Sequence, residues 1–150
     1  MRIQDLLQLS PLRLITARPD TPVAEAARRM AKYGVGIVVV MDEDDAIAGV
    51  LSERDLVTAL GAADGAIAGT PVGDLMTGQV VTIAPEASLA DAVLAMNAHG
   101  IRHLIAAKDG QPVGVVSIRD VLRVFARQLV DEGGEPDGEL TLSLAKALAA

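Results

Sequence analysis

Two short segments of the sequence combine side chains that could hold a polar ligand. Gly49–Asp55 reads Gly-Val-Leu-Ser-Glu-Arg-Asp, and Gly114–Asp120 reads Gly-Val-Val-Ser-Ile-Arg-Asp. A helix N-cap is one interpretation, because a serine hydroxyl accepts a backbone N–H and an aspartate stabilises the positive end of a helix. A binding site is the other, because a hydroxyl, a carboxylate and a helix N-terminus can hold ligand hydroxyl groups and an anion. One isolated copy favours the cap.

A pair of basic residues distinguishes the second segment's surroundings from the first's. Arg102 and His103 follow Ile101, at the place where the first half of the chain has Val35-Gly36-Ile37. An arginine offers a planar fork for phosphate oxygens, and a histidine can donate a hydrogen bond from either ring nitrogen. The alternatives are a solvated surface arginine and a histidine satisfied at the edge of a sheet.

The chain repeats itself, and self-similarity at a fixed period is the strongest sequence signal of fold. Thr16, Pro19, Ala24, Ala26, Met30 and Gly34 recur 66 residues later, and Gly49, Val50, Ser52, Arg54 and Asp55 recur 65 residues later. One residue is lost where Asp42–Asp45 in the first copy corresponds to Lys108–Gly110 in the second. Because hairpin turns tolerate changes of length, this position predicts the turn of a β-hairpin in each copy.

Each copy is predicted to fold as strand, helix, strand, strand, helix, an α/β (α+β) architecture. The predicted strands are Leu12–Ala17, Ile37–Met41 and Ala46–Leu51 in the first copy, and Gln79–Ile83, His103–Ala107 and Pro112–Val116 in the second. Thr21 is predicted to cap the first helix, with Pro22 at the first helical position. Ser88 and Asp91 predict a capping box for the corresponding helix, and Gly34 and Gly100 are predicted to end the two helices.

Composition excludes several classes of function. The formal charge is −7 and aromatic residues make up 1% of the chain, which argues against nucleic acid as a partner. No cysteine is present and there are two histidines, so nothing suggests a nucleophile with its base or a metal site, and we expect no catalysis. The apolar runs are shorter than the roughly 18 residues that span a bilayer, and no signal segment is evident. These features predict a cytoplasmic protein without membrane insertion.

The ordered pattern of Thr-x-x-Pro, a helix ending in Gly, and an apolar hairpin ending in Gly-h-h-Ser-x-x-Asp (h, hydrophobic) resembles the cystathionine β-synthase (CBS) domain family. The resemblance covers roughly residues 1–130 in two copies. It implies a stand-alone CBS pair, or Bateman module, whose two β-α-β-β-α repeats pack with pseudo-twofold symmetry through their sheets. We expect repeat 1 at 1–68, repeat 2 at 69–130, and at 131–150 an acidic linker followed by a segment of helical propensity.

The resemblance also implies two clefts for an adenosine-containing ligand: AMP, ADP, ATP, NAD or S-adenosylmethionine. Asp55 and Asp120 would bind the ribose hydroxyls, and Ser52 and Ser117 the phosphate or ribose. The implied base pockets comprise Ile15, Thr16, Val35 and Ile37 in one cleft and Val81, Thr82 and Ile101 in the other. Phosphate contacts would come from Arg102 and His103. Arg54 and Arg119, repeated at the helix entries, would either reach a phosphate from the first turn or form salt bridges.

We expect the second cleft to bind the phosphorylated ligand more tightly, since it alone has Arg102 and His103. Glu53, which stands where the second copy has Ile118, would repel a triphosphate from the first cleft. The predicted function is adenine-nucleotide sensing that modulates an unidentified partner protein through ligand-dependent association. The alternative is a dimerisation scaffold with unused clefts. A homodimer is expected under either interpretation.

Overall fold

The computed structural model describes residues 1–9, 14–131 and 138–149. Its elements in chain order are α1 (Ile3–Leu9), β1 (Thr16–Ala17), α2 (Val23–Tyr33), β2 (Ile37–Met41), β3 (Ile47–Ser52), α3 (Glu53–Ala62), α4 (Val72–Leu75), β4 (Thr82–Ile83), α5 (Leu89–Ala98), β5 (His103–Lys108), β6 (Gln111–Ser117), α6 (Ile118–Asp131) and α7 (Gly138–Ala149).

The strands form two three-stranded sheets with the same topology, β1-β2-β3 and β4-β5-β6. In each sheet the short opening strand runs parallel to the next one, β1 to β2 and β4 to β5, and β2 pairs antiparallel with β3. The predicted order of elements is therefore confirmed in both repeats. The opening strands are two residues long, shorter than predicted, because only those residues pair with their neighbour; Leu12 and Arg13 lie outside the described residues.

The middle strand of each sheet forms the centre of a core built from small aliphatic side chains. Val38, Val39 and Val40 of β2 are fully buried, as are Leu104 and Ala106 of β5. A middle strand is covered on both faces, which explains why these runs are continuously apolar rather than alternating.

Two units are distinguished by their contacts. The first-repeat unit comprises described residues within Arg13–Val81 and Asp109–Pro112, and the second-repeat unit comprises those within Met1–Leu12, Thr82–Lys108 and Val113–Ala150. The short helix α1 thus belongs to the second-repeat unit, and α4 belongs to the first-repeat unit. In the chain, α1 precedes the first repeat but is grouped with the second, and α4 precedes the second repeat but is grouped with the first.

Equivalent backbone hydrogen bonds attach the short helices. In the second-repeat unit, the Ile3 and Gln4 N–H groups each donate over 2.9 Å to the carbonyls of Ala87 and Pro85. In the first-repeat unit, the Val72 and Gly73 N–H groups each donate over 2.8 Å to the carbonyls of Thr21 and Pro19. The accepting positions are 66 residues apart, so in each repeat the proline of the Thr-x-x-Pro element and the residue two positions after it serve as the docking point for a short helix.

The predicted N-caps agree with the structure except at α2. At the C-termini, Gly34 caps α2 as predicted, whereas the C-cap of α5 is His99 and Gly100 follows it. Ser88 caps α5 in a capping box with Asp91, as predicted, and hydrogen bonds from the Ser88 N–H and hydroxyl lower the pKa of Asp91. Thr21 is not the cap of α2: the helix begins at Val23 after an extended Pro22, which makes no side-chain cap bond. The Thr21 hydroxyl is used in a tight turn instead, where it accepts the Arg18 N–H at 3.0 Å.

The C-terminal helix α7 packs against α5 within the second-repeat unit. Leu140 and Leu144 of α7 are buried. The end of the chain is helical in the structure, and the predicted acidic linker lies mostly outside the described residues.

Gly49 is predicted to be a position where even a methyl group is destabilising. A Cβ there would lie 2.8 Å from the Thr77 carbonyl oxygen, which also accepts the Val50 N–H at 3.0 Å and is therefore held in place. We expect Gly49→Ala to lower the free energy of unfolding by about 1–3 kcal/mol through overpacking. Gly61→Ala is the control, because open space surrounds that helical glycine; it should be neutral or stabilising by up to about 1 kcal/mol. Urea unfolding would measure both, and equal effects would contradict this packing argument.

Candidate functional site

The two Ser-x-x-Asp segments form capping boxes, so the structural interpretation of each is confirmed. Asp55 Oδ2 accepts the Ser52 N–H at 2.7 Å and the Ser52 hydroxyl at 2.8 Å, while Ser52 Oγ accepts the Asp55 N–H at 3.3 Å. In the second repeat, Asp120 Oδ2 accepts the Ser117 N–H at 3.2 Å and also the Ser117 hydroxyl. Each box anchors the first turn of the helix that follows, α3 or α6.

Capping occupies one carboxylate oxygen and leaves the other with a different partner. Asp55 Oδ1 accepts the Thr77 hydroxyl at 3.4 Å, and Asp120 Oδ1 accepts from the Arg123 guanidinium at 3.0 Å. A carboxylate oxygen can accept two hydrogen bonds, so each Oδ1 retains acceptor capacity beyond these contacts. The cap and a hydroxyl-binding role are therefore compatible in the same aspartate.

The two aspartates differ in exposure. Asp120 is buried, with 3% of its side chain exposed, whereas Asp55 is half-buried. Arg123, by contrast, has 55% of its side chain exposed. Asp55 is therefore the more accessible of the two carboxylates.

Sequence reasoning missed both Oδ1 partners. Arg123 lies three residues after Asp120 on the same helix, a spacing that brings side chains together and that could have revealed the pair. Thr77 lies in the segment after α4, and its backbone pairs with Val50 at 2.8 and 3.0 Å. No local pattern signals that contact, because it depends on the docking of the α4 segment on the first-repeat unit.

The start of each final helix is tied to the entrance of its hairpin. The Glu53 N–H donates to the Gly36 carbonyl, and the Ile118 N–H donates to the Arg102 carbonyl, each at 3.0 Å. This bond places the Arg102 backbone beside the N-terminal turn of α6. The side chains of Arg102 and Arg119 are exposed.

The residues predicted for the first base pocket fall in one part of the first-repeat unit. Ile15 and Val35 pack against the same buried cluster. Ile37 is buried and lies opposite Ser52 in the β2–β3 ladder, while Thr16 is exposed in β1.

The residues predicted for the second pocket lie around β4 and at the start of β5. Thr82 is exposed in β4, Ile101 is half-buried just before the hairpin, and His103 opens β5 in a half-buried position. Val81 is half-buried and immediately precedes β4. In the first repeat, the corresponding basic candidate Arg54 is exposed at the start of α3.

Two negative findings apply to the described part of the chain. Within residues 1–9, 14–131 and 138–149, no group of three or more His, Cys, Asp or Glu side chains is placed to hold a metal ion. In the same residues, no helix has both the length and the apolar character needed to cross a membrane.

Tandem β-α-β-β-α units, each with a Ser-x-x-Asp capping box at the start of its final helix, define the class of this protein. The family model of the CBS domain matches residues 6–62 and 72–127. The chain therefore belongs to the CBS domain family.

Known proteins similar to the chain include both sequences and solved structures. An uncharacterized 17.7 kDa protein of Acidianus ambivalens is 31% identical over 134 residues, which cover 89% of this chain and 80% of that protein. The crystal structure of a CBS-domain containing protein from Agrobacterium tumefaciens is 31% identical, with a TM-score of 0.75, and the match covers 81% of this chain and 91% of that one. Some curated relatives are longer, and the chain spans 57% of the length of two of them.

A further similar structure contains a nucleotide. It is a CBS domain protein of Pyrobaculum aerophilum complexed with AMP, 26% identical to this chain with a TM-score of 0.74, and the match covers 97% of this chain and 99% of that one.

Proposed function

We propose that this chain is a regulatory protein that binds an adenosine-containing ligand and has no catalytic role of its own. The observation that carries the proposal is the repeated Ser–Asp pair, in which one carboxylate oxygen caps the helix and the other retains capacity to accept hydroxyl hydrogen bonds. The AMP complex of the Pyrobaculum aerophilum protein supports the choice of ligand class.

The ribose is assigned to the aspartates. Asp55 and Asp120 each present Oδ1 to the 2′- or 3′-hydroxyl, while Oδ2 keeps the cap bonds to Ser52 and Ser117. Arg123 acts as a positioning residue for Asp120, because its guanidinium donates to Oδ1 and fixes the orientation of the carboxylate.

The phosphate is assigned to the second repeat. Arg102, whose backbone accepts from the first turn of α6, and His103 at the start of β5 supply donors, and Arg119 adds a positive charge in that first turn. Ser117 lies at the helix N-terminus, where backbone dipoles favour an anion. In the first repeat, Gly36 and Ile37 stand where the second has Arg102 and His103, and Glu53 adds a negative charge, so this cleft suits a less charged adenosine compound.

The adenine base is assigned to a pocket of mainly aliphatic side chains in each cleft. Ile15, Thr16, Val35 and Ile37 would contact it in the first cleft, and Val81, Thr82 and Ile101 in the second. Stacking on an aromatic ring is not invoked, because Tyr33 and Phe125 are the chain's two aromatic residues and neither belongs to these sets.

Ligand binding is proposed to change association with another protein. Val57 and Leu60 of α3 are 69% and 43% exposed, an apolar surface suited to a homodimer. The regulated partner is unidentified, and the cysteine-free sequence fits a reducing compartment such as the cytoplasm. The scaffold function, with dimerisation through this surface and empty clefts, is the second candidate.

A thermal-shift series separates the two candidates. A ligand that binds the folded state stabilises it by RT ln(1 + [L]/Kd), so the melting temperature should rise progressively with its concentration. We expect such a rise with at least one of AMP, ATP, NAD and S-adenosylmethionine, with guanosine as the control. No shift with any adenosine compound would refute the sensor and leave the scaffold.

A further inference from the structure

Thr77 is held beside the capping box of the first-repeat unit by its backbone. The Thr77 N–H donates to the Val50 carbonyl at 2.8 Å, and the Val50 N–H donates to the Thr77 carbonyl at 3.0 Å. Val50 lies in β3, two residues before Ser52. The Thr77 hydroxyl then lies 3.4 Å from Asp55 Oδ1. Two backbone hydrogen bonds therefore fix the position from which this hydroxyl meets the carboxylate.

The residue just before Thr77 has a counterpart in the second-repeat unit. A Cβ added at Gly49 would lie 2.7 Å from Met76 Sδ. A Cβ added at Gly114, which occupies the same position in the repeated motif, would lie 2.7 Å from Leu7 Cδ2. Met76 and Leu7 thus fill equivalent places, each against the glycine of its own unit.

The next residue differs between the units in type and in backbone. Helix α4 ends at Leu75, and the extended backbone of Met76 (φ −65°, ψ 153°) leads Thr77 onto β3. Helix α1 instead continues to Leu9, so Gln8, the counterpart of Thr77, is helical. The place beside the motif is filled by a threonine on extended backbone in one unit and by a helical glutamine in the other.

The chemistry of the Asp55–Thr77 pair suits two neighbouring hydroxyl groups. A threonine hydroxyl has one donor and two acceptor lone pairs, so Thr77 Oγ1 can donate to Asp55 and still accept. Their separation of 3.4 Å exceeds the roughly 2.5–3.0 Å of an ordinary O–H···O bond, so the contact does not use the full capacity of either oxygen. Thr77 is exposed and Asp55 is half-buried. The pair therefore offers two adjacent acceptors to a ligand from solvent.

We propose that Thr77 is a further ligand-binding residue of the first cleft, where Thr77 Oγ1 and Asp55 Oδ1 each accept one of the two ribose hydroxyls. This role rests on the proposed function, because it takes an adenosine-containing ligand as the occupant. The group recognised is the vicinal diol of a ribonucleoside, and a deoxynucleoside satisfies one of the two acceptors.

Titration with adenosine, 2′-deoxyadenosine and 3′-deoxyadenosine tests the role of Thr77. The Asp120→Ala chain is used, so that binding reports the first cleft. Adding Thr77→Val removes the hydroxyl and keeps a β-branched side chain suited to extended backbone. We expect adenosine affinity to fall by about three- to tenfold, the loss expected for one uncharged hydrogen bond. One deoxyadenosine should weaken equally, and the one that lacks the hydroxyl bound by Thr77 should be unaffected. Equal weakening of all three nucleosides, or unchanged adenosine affinity, would overturn the role.

Thr58→Val is the matched control. Thr58 is an exposed threonine of α3, three residues after Asp55, and it stands where the second repeat has Arg123. The variant makes the same chemical change outside the proposed pair, so it should leave the affinities of all three nucleosides unchanged. Thr77→Ser, which retains a hydroxyl, should bind adenosine within about twofold of the parent chain. Equal effects of Thr58→Val and Thr77→Val would overturn the assignment.

Two further titrations separate this role from the nucleotide proposal. In the chain with Asp120 intact, Thr77→Val should leave the tighter AMP phase unchanged, and loss of that phase would mark general disruption and overturn the role. If Asp55→Ala abolishes adenosine binding to the Asp120→Ala chain but Thr77→Val does not change it, the role of Thr77 is wrong and the nucleotide proposal stands. If adenosine does not bind that chain, or binds regardless of Asp55→Ala, the first cleft itself is refuted, and the role of Thr77 with it.

Discussion

Replacing Asp120 with alanine is expected to weaken the tighter phase of AMP binding by at least about tenfold. A hydrogen bond to a charged group contributes about 1.5–3 kcal/mol, and 1.4 kcal/mol corresponds to a factor of ten in affinity. The variant removes the Oδ1 acceptor proposed for the ribose, and isothermal titration measures the loss. Any residual, weaker phase is assigned to Asp55 and should disappear in the Asp55→Ala, Asp120→Ala double variant.

Asp91→Ala is the matched control for loss of a helix cap. Asp91 accepts the Ser88 N–H at 2.9 Å and the Ser88 hydroxyl at 2.8 Å, the same pattern that Asp120 makes with Ser117, but it lies outside the proposed site. Both variants should lose stability because the carboxylate bonds of the capping box are removed, at about 0.5–1.5 kcal/mol for each hydrogen bond. Only Asp120→Ala should lose AMP affinity. Equal affinities in wild type and Asp120→Ala, or equal weakening in both variants, would exclude a specific role for Asp120.

Reversing the charge at Arg102 should separate recognition of phosphate from recognition of the nucleoside. In Arg102→Glu, we expect AMP affinity to fall by about tenfold or more, because a charge-assisted bond of about 1.5–3 kcal/mol is lost and a repulsive charge is introduced. Adenosine, which lacks the phosphate, should bind nearly as it does to wild type. Parallel titrations with the two ligands measure the difference.

Arg127→Glu controls for the change in net charge. Arg127 is an exposed arginine of α6 in the same unit, outside the proposed phosphate contacts. Its reversal should change AMP affinity by less than about threefold, since exposed charges at a distance are largely screened by salt. If Arg102→Glu weakens adenosine and AMP alike, or if both reversals act equally on AMP, the assignment of phosphate to the second repeat is refuted.

Most of the fold was predictable because the chain contains the same pattern twice. Internal comparison located the hairpin turn through one lost residue, and continuous apolar runs such as Val38–Val40 marked the buried middle strands. Ser88 with Asp91 was recognisable as a capping box because its bonds are local. Ser52 and Asp55 were recognisable as a cap for the same reason, because their hydrogen bonds join residues three positions apart.

Features that depend on contacts between distant segments were not predictable. The grouping of α1 with the second repeat rests on backbone bonds such as Ile3 to Ala87, and backbone groups carry no sequence signal. Thr21 was wrongly predicted as a cap. Its hydroxyl accepts the Arg18 N–H, three residues earlier, instead of a backbone N–H in the first turn of α2. The packing of α7 on α5 follows from the complementarity of two helix surfaces rather than from the periodicity of either helix alone.

The most direct test of the ligand-binding proposal is a crystal structure of the protein grown with saturating AMP. We predict that a ribose hydroxyl of AMP lies within hydrogen-bonding distance of Asp120 Oδ1, with the phosphate against Arg102 and the first turn of α6. AMP bound away from both Asp55 and Asp120, or absent at saturating concentration, would contradict the proposed function.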